Sequence, residues 1–404
     1  MSSAPLVSGG VSKTAAPGDR AAPLVLGPVF SGWRKAANLA GISLWLAALL
    51  YFWIWWLTPA HVVTSLRYAT VTIVLLWITL IPAYFIVLFH GARTPVRAGR
   101  PPPGCRVAIV VTRAPSEPFA IARKTLEAAL AQEGVDHDTW LADEDPDGET
   151  LDWCRVHGVH LSTRKGAAAY HRESWPRRAH CKEGNLAYFY DHYGYDRYDV
   201  VSQFDVDHVP APDYLKHMLA PFADPAVGYV SAPSICDSNA SASWAARGRL
   251  YIEASMHGPL QAGYNAGWAP LCIGSHYAVR TSALRAAGGL GPELAEDHST
   301  TLILSAEGWR GVHAVDAIAH GEGPETFSDL VIQEFQWSRS LVTVLIKHLP
   351  ARIRKLPPRL KFQFLFSELW YPSYSLIMAL SVAMPIMALL TKSRFVDVTY
   401  VDFF

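Results

Sequence analysis

Charge is scarce in this 404-residue sequence. Asp, Glu, Lys and Arg make up only 17% of it, where a soluble domain carries about 25%. The 35 Lys and Arg are matched by 35 Asp and Glu. With no basic excess to meet phosphates, a general nucleic-acid binder is argued against. Cysteine is sparse too. The five residues Cys105, Cys154, Cys181, Cys236 and Cys272 are odd in number, widely spaced and free of any CxxC pair, which argues against a disulfide framework or a structural zinc site and for reduced thiols. No GxGxxG or GxxxxGK[ST] loop and no internal repeat is present. Apolar residues are plentiful: 50% of the chain is hydrophobic and 14 residues are Trp. Such a chain is not disordered over most of its length, and that length allows two or three domains.

The apolar residues gather in three uncharged runs, Leu39 to Thr58, Tyr68 to Phe89 (Arg67 lies just before it) and Leu369 to Leu390. Each reaches the ~20 residues a helix needs to cross about 30 Å of hydrocarbon. The first starts too late and runs too long for a secretory signal peptide. Lys13, Arg20, Arg34 and Lys35 precede it, and Arg93, Arg97, Arg100 and Arg106 follow the second, with Arg67 alone between. The positive-inside bias therefore puts the N-terminus and the part after residue 90 in the cytoplasm. Residues 1–38, rich in Ala, Pro, Gly and Ser, read as a flexible tail. One exit helix after so large a cytosolic part is sparse, and the chain is expected to be a piece of a longer protein.

Between the second and third runs, short β-rich segments alternate with helical spacing. Arg106 to Thr112 reads as a strand buried on both faces, Ile121 to Gln132 as a helix, and Thr139 to Ala142 and Asp199 to Phe204 as further strands. Such α/β sheets bind ligands beyond the carboxyl ends of their strands. Acidic clusters stand there, at Asp143-Glu144-Asp145 and Asp205-Val206-Asp207. Two carboxylates one residue apart hold Mg²⁺ or Mn²⁺ when a ligand, typically a diphosphate, completes the oxygen shell. A bare pair is more often a solvated turn, and Glu296-Asp297 by itself more often a helix cap. Lys182-Glu183-Gly184-Asn185-Leu186 adds a cation and a glycine where backbone could approach the same phosphates.

In this order, and between apolar helices, the pieces resemble the processive family 2 glycosyltransferases, most closely the bacterial cellulose synthase catalytic subunits, over roughly residues 39–390. Ser116-Glu117-Pro118 is similar to that family's donor loop, and Asp143 stands at its first aspartate. Lys182 to Leu186 is similar to KAGNL, and Phe204 to Pro210 to FDADHVP. Glu296-Asp297 matches the end of TED, and Pro324 to Phe327 also matches. There are departures. DDG becomes Asp143-Glu144-Asp145, the TED threonine is Ala295, FCGS reads Cys272-Ile273-Gly274-Ser275, and QxxRW falls on Gln333-Glu334-Phe335-Gln336-Trp337 without its arginine.

The resemblance implies a GT-A-like α/β domain with a mixed, mostly parallel sheet, flanked by transmembrane helices. The expected division is a tail at 1–38, two transmembrane helices at 39–90, the transferase domain at 91–340, a basic amphipathic interface segment at 341–368, and a last transmembrane helix within 369–404. It implies inverting transfer from a UDP-sugar, with Asp297 as base. Glu117, Asp143, Asp145, Lys182, Asp205, Gln333 and Arg339 would hold the donor, Arg339 replacing the missing arginine. Asp205 and Asp207 would hold Mg²⁺ or Mn²⁺, while Trp337, Glu296, Gly274 and Ser275 would meet the acceptor. UDP-glucose, a growing β-glucan, the lipid bilayer of the cell (inner) membrane and an accessory export subunit are the expected partners, with no nucleic acid. A non-processive transferase acting on a lipid or capping a glycan, and a non-catalytic membrane protein with a degenerate domain, are the alternatives.

Overall fold

The computed structural model describes residues 24–96 and 102–403. Residues 1–23 of the expected tail, with Lys13 and Arg20, and the cations Arg97 and Arg100 lie outside the described residues. A short strand β1 (Leu26–Pro28) leads into α1 (Gly32–Trp56), so residues 32–38 are helix rather than tail. α2 (Ser65–His90) follows, and β2 (Arg93–Pro95) returns antiparallel beside β1. At 1.5 Å per residue these helices measure roughly 38 Å. Both are long and apolar enough to cross a membrane.

The central domain begins with β3 (Val107–Arg113), α3 (Phe119–Leu130), β4 (Asp138–Asp143), α4 (Gly148–His157), β5 (His160–Ser162), α5 (Lys182–Phe189) and β6 (Val200–Asp205). β7 (Val209–Pro210), β8 (Val227–Ser231), β9 (Ser234–Ile235), α6 (Trp244–Met256) and β10 (His276–Arg280) come next. The domain closes with α7 (Glu296–Ala306), β11 (Arg310–His313), β12 (Ala319–His320) and α8 (Phe327–Thr343). Seven strands form one sheet in the order β11-β8-β10-β6-β3-β4-β5. β10 alone runs antiparallel to its neighbours, and the remaining pairs are parallel. The sheet is thus mixed and mostly parallel.

The unbroken apolar run of β3 has a simple cause. Val107, Ile109 and Val111 pack into one core with α3 residues Ala122 and Leu126, while Ala108 and Val110 pack into a second core with Leu186 and Phe189 of α5. Successive strand side chains point to opposite faces, and here both faces are covered. Burial of each such Val or Ile contributes about 1.5–3 kcal/mol. This packing brings the carboxyl ends of β3, β4 and β6 to one edge, where Arg113 lies in register with Asp143 and Thr112 with Asp205. The reversed β10 starts at the same edge, and the Asp205 N–H donates to the Ser275 carbonyl at 2.7 Å.

Thr326 caps α8 and shares a reciprocal capping box with Asp329, so the Pro324 to Phe327 motif marks where this helix starts. Beyond it, the expected interface segment turns apolar side chains to the domain and leaves Lys347, Arg354, Lys355 and Arg359 exposed. Val344, Leu349, Leu356 and Phe364 are buried against Ala269 and Leu302 of the domain, the last of them on α9 (Pro358–Glu368). Apolar side chains left outside include Trp244 of α6 (72% exposed), Phe327 and Phe335 of α8 (60% and 66%), and Ile346 and Phe362 of this segment (67% and 51%). α10 (Trp370–Leu390) is the third helix long and apolar enough to cross a membrane.

α2 packs onto the domain where Gly263 lies against the Leu88 carbonyl. A Cβ on Gly263 would sit 2.7 Å from that oxygen. Gly263→Val is expected to destabilise the protein by about 1–3 kcal/mol, seen as a lower unfolding temperature in detergent. Gly41→Ala, on the open face of α1 with no atom within 4 Å, should not lower that temperature, since Ala favours a helix interior over Gly.

Candidate active site

Two cavities open at the carboxyl edge of the sheet and meet at Lys182 and Asp205, which line both. The first, about 320 Å³, lies under the loop after β3. Arg113, Ser116, Glu117, Glu144 and Asn185 line it. The second, about 400 Å³, carries Asp207, Gly274, Ser275, Glu296, Asp297, Gln333 and Trp337 on its wall.

The Lys182 motif shows why each of its residues is present. Glu183 is buried and accepts the backbone N–H groups of Arg177 (2.7 Å) and Arg178 (3.1 Å), tying down the preceding loop. A side chain on Gly184 would collide with the Arg178 carbonyl and the Arg164 guanidinium. Asn185 donates to the Ala142 carbonyl at 2.8 Å. Lys182, thus placed at the start of α5, donates its ammonium to Asp205 Oδ1 at 2.6 Å and to the Gly274 carbonyl. Burial pulls the Lys182 ammonium down, but Asp205, Glu296 and Asp297 together hold it above its usual value. The sequence placed no cation near Glu296-Asp297; the fold supplies this one.

Asp207 Oδ1 pairs with His208 Nδ1 at 2.9 Å, and His208 Nε2 lies 3.0 Å from Ser234 Oγ. Asp205, at the joint of the cavities, and Asp207, on the wall of the second, each have one oxygen already engaged. Burial, with the charges of Asp205 and Asp207 adding to it, raises the Glu117 carboxyl above its ordinary value. Asp205 and Asp207 are the two carboxylates that could hold a divalent cation. Among the described residues no group of three or more His, Cys, Asp or Glu could hold a metal by itself. A Mg²⁺-type site takes one or two carboxylates and completes its shell with substrate phosphates.

Glu296 is buried at the start of α7 and accepts the Tyr277 hydroxyl at 2.9 Å. Burial pushes its carboxyl up to about 7. Asp297, half-buried, is the carboxylate that faces the cavity. Gly274 makes room for it, since a Cβ there would lie 3.1 Å from Asp297 Oδ2.

Three expected residues are not brought to the cavities. Asp143 is fully buried, 2.8 Å from Arg113 Nη1; it serves as the counter-charge that lets Arg113 line the first cavity. Asp145 is exposed and pairs with Lys165. Arg339 lies on another side of α8, in a groove with Phe335, Tyr371 and Pro372. The buried cation beside Gln333 and Trp337 is Arg249 of α6, whose guanidinium lies 4.4 Å from the Trp337 ring. Sequence reasoning missed Arg249 and Arg113. Arg249 sits in no motif and far along the chain from its partners; Arg113, the last residue of the first buried strand, carried a positional signal.

Residues 200–395 match the family described as glycosyl transferase family group 2. No curated protein sequence matches the chain. Among solved structures the chain is similar to the mannosyltransferase PcManGT from Pyrobaculum calidifontis, in complex with GDP-Man and Mn²⁺. The identity is 18%, covering 89% of this chain and 90% of that one, at a TM-score of 0.52. It is also similar to glucosyl-3-phosphoglycerate synthase from Mycobacterium tuberculosis, in complex with Mn²⁺, UDP and glucosyl-3-phosphoglycerate, at 13% identity over 60% and 79% of the two chains and a TM-score of 0.39. The first likeness shows the fold, which is GT-A-like.

The raised Glu296 carboxyl has a consequence for stability. Between the ordinary carboxylate range and about 7, the folded state holds a proton that the unfolded state has lost. Stability therefore falls as pH rises through that window. Glu296→Gln removes the ionisation, and is expected to raise the unfolding temperature relative to wild type at pH 8 by more than at pH 5. Equal differences at both values would contradict the assignment.

Proposed function

We propose that this chain, an enzyme with a family 2 glycosyltransferase domain, transfers a hexosyl group from a nucleoside diphosphate sugar to an acceptor hydroxyl at the membrane surface. One observation carries the reading. Lys182 and Asp205 stand at the joint of two cavities, with a free wall for a nucleoside on one side and Asp207, Asp297 and Trp337 on the other.

An acceptor hydroxyl is a poor nucleophile at neutral pH, so a base must take its proton as it attacks the anomeric carbon. Asp297 takes that role, because Glu296 is buried and bonded to Tyr277. The nucleoside occupies the cavity of Arg113, Ser116 and Glu117. Lys182 neutralises charge on the departing diphosphate. Asp205 and Asp207 would hold Mg²⁺ or Mn²⁺, which when bound offsets the charge of the leaving diphosphate. Trp337 offers the acceptor sugar a flat apolar face, with Gly274 and Ser275 near the transfer point.

UDP-glucose as donor and a β-linked glucan as product are supported by the ordered motifs shared with cellulose synthase catalytic subunits. The three apolar helices anchor the domain, with its catalytic edge on the cytoplasmic side by the positive-inside bias. A lipid-borne acceptor is the second reading. It is favoured by an apolar groove of about 440 Å³ between α2, α9 and α10, lined by Trp77, Tyr84, Phe366 and Trp370. Labelled UDP-sugars, offered one at a time to membranes, separate the two by product: an insoluble polymer or a solvent-extractable lipid.

Asp297→Asn is expected to lower transfer by at least about 10²–10⁴-fold while UDP binding stays near the wild-type value in calorimetry. Loss of UDP affinity together with activity, in a folded variant, would remove Asp297 from the role of base.

A further inference from the structure

Resting on the reading that Trp337 carries the acceptor, we propose that Arg249 is the residue that positions this platform. Arg249 is 1% exposed, yet its guanidinium is the crossing point of three elements. Nη1 donates to Glu334 Oε1 at 3.0 Å and Nη2 to Gln333 Oε1 at 3.1 Å, adjacent residues on α8. The guanidinium carbon lies 4.4 Å from the Trp337 ring centroid, one turn further along the same helix. The second oxygen of Glu334 accepts the Tyr371 hydroxyl of α10 at 2.8 Å. One planar fork therefore joins α6 to α8, and Glu334 passes the connection to α10.

This geometry fixes the ring from one side. Trp337 remains 37% exposed and lines the second cavity, so the cation covers part of its surface while the rest stays open for a sugar. The charge of Arg249 is already balanced: Glu334 bonds it and Glu253 Oε1 lies 3.8 Å from its Nε. An arginine so committed does not serve the donor diphosphate, in contrast to Lys182. Its removal acts on the acceptor. Lysine does not replace it, because an ammonium lacks the flat fork that bonds two partners and stacks on a ring at once.

The test is steady-state transfer from UDP-glucose to a soluble cello-oligosaccharide by the full-length protein in detergent, together with UDP binding by calorimetry. Arg249→Met is expected to raise the acceptor KM by about 10-fold or more, with the Kd for UDP unchanged. Arg249→Lys should recover only part of that loss, and Glu334→Gln should shift the acceptor KM in the same direction by less. Retained UDP binding shows that each variant is folded. If Trp337→Ala raises the acceptor KM but Arg249→Met and Arg249→Lys do not, the positioning role falls and the acceptor reading stands. A matching loss of UDP affinity in Arg249→Lys would also overturn it, by placing the residue at the donor. An acceptor KM unmoved by Trp337→Ala overturns the acceptor reading and this inference together.

Discussion

The ammonium of Lys182 is the interaction on which the rest of this site depends. Asp205, Glu296 and Asp297 are drawn to one edge of the sheet from β6 and α7, and like charges so gathered repel. Lys182 bonds Asp205 and the Gly274 carbonyl, linking the end of β6 to the turn before β10. The antiparallel direction of β10 makes this possible, since it brings the start of that strand beside the end of β6. Glu183, Gly184 and Asn185 then serve to aim one lysine.

Around this cation the chemistry divides by burial. Glu296 is enclosed, bonded to Tyr277 and shifted toward neutrality; Asp297, the next residue, faces the cavity. Two adjacent carboxylates thus acquire different tasks from their surroundings, one structural and one available to an incoming hydroxyl. Arg113 and Asp143 make a similar division at the first cavity. A buried charge is costly without a partner, and breaking such a pair costs about 3–5 kcal/mol. Asp143 is therefore engaged by Arg113, and Arg113 is the member that lines the cavity.

The sequence was most legible where a pattern had one physical cause. The double-sided apolar run of β3, the three long apolar helices and the acidic ends of β4 and β6 all have positions close to those expected. Lys182, Asp205, Asp207, Glu296 and Asp297 share one place because strand order and the reversed β10 put them there. Legibility failed where a side chain answered to a distant partner. Asp143 was expected to meet a nucleoside but neutralises Arg113. Arg339 was expected to replace a missing arginine, but helical spacing turns it away from the Gln333 and Trp337 face, and Arg249 arrives from another helix. The basic segment after residue 340 packs Val344, Leu349 and Phe364 into the domain, a partner that its composition did not name.

In the proposed function, Lys182, Asp205 and Asp207 form a diphosphate site that a divalent cation completes. Calorimetric titration of UDP into the detergent-solubilised protein, with Mn²⁺ and then with EDTA, tests it most directly. Saturable binding is expected with Mn²⁺, strongly weakened by EDTA and by Asp207→Asn. Equal affinity in both conditions, or no UDP binding in either, would contradict it.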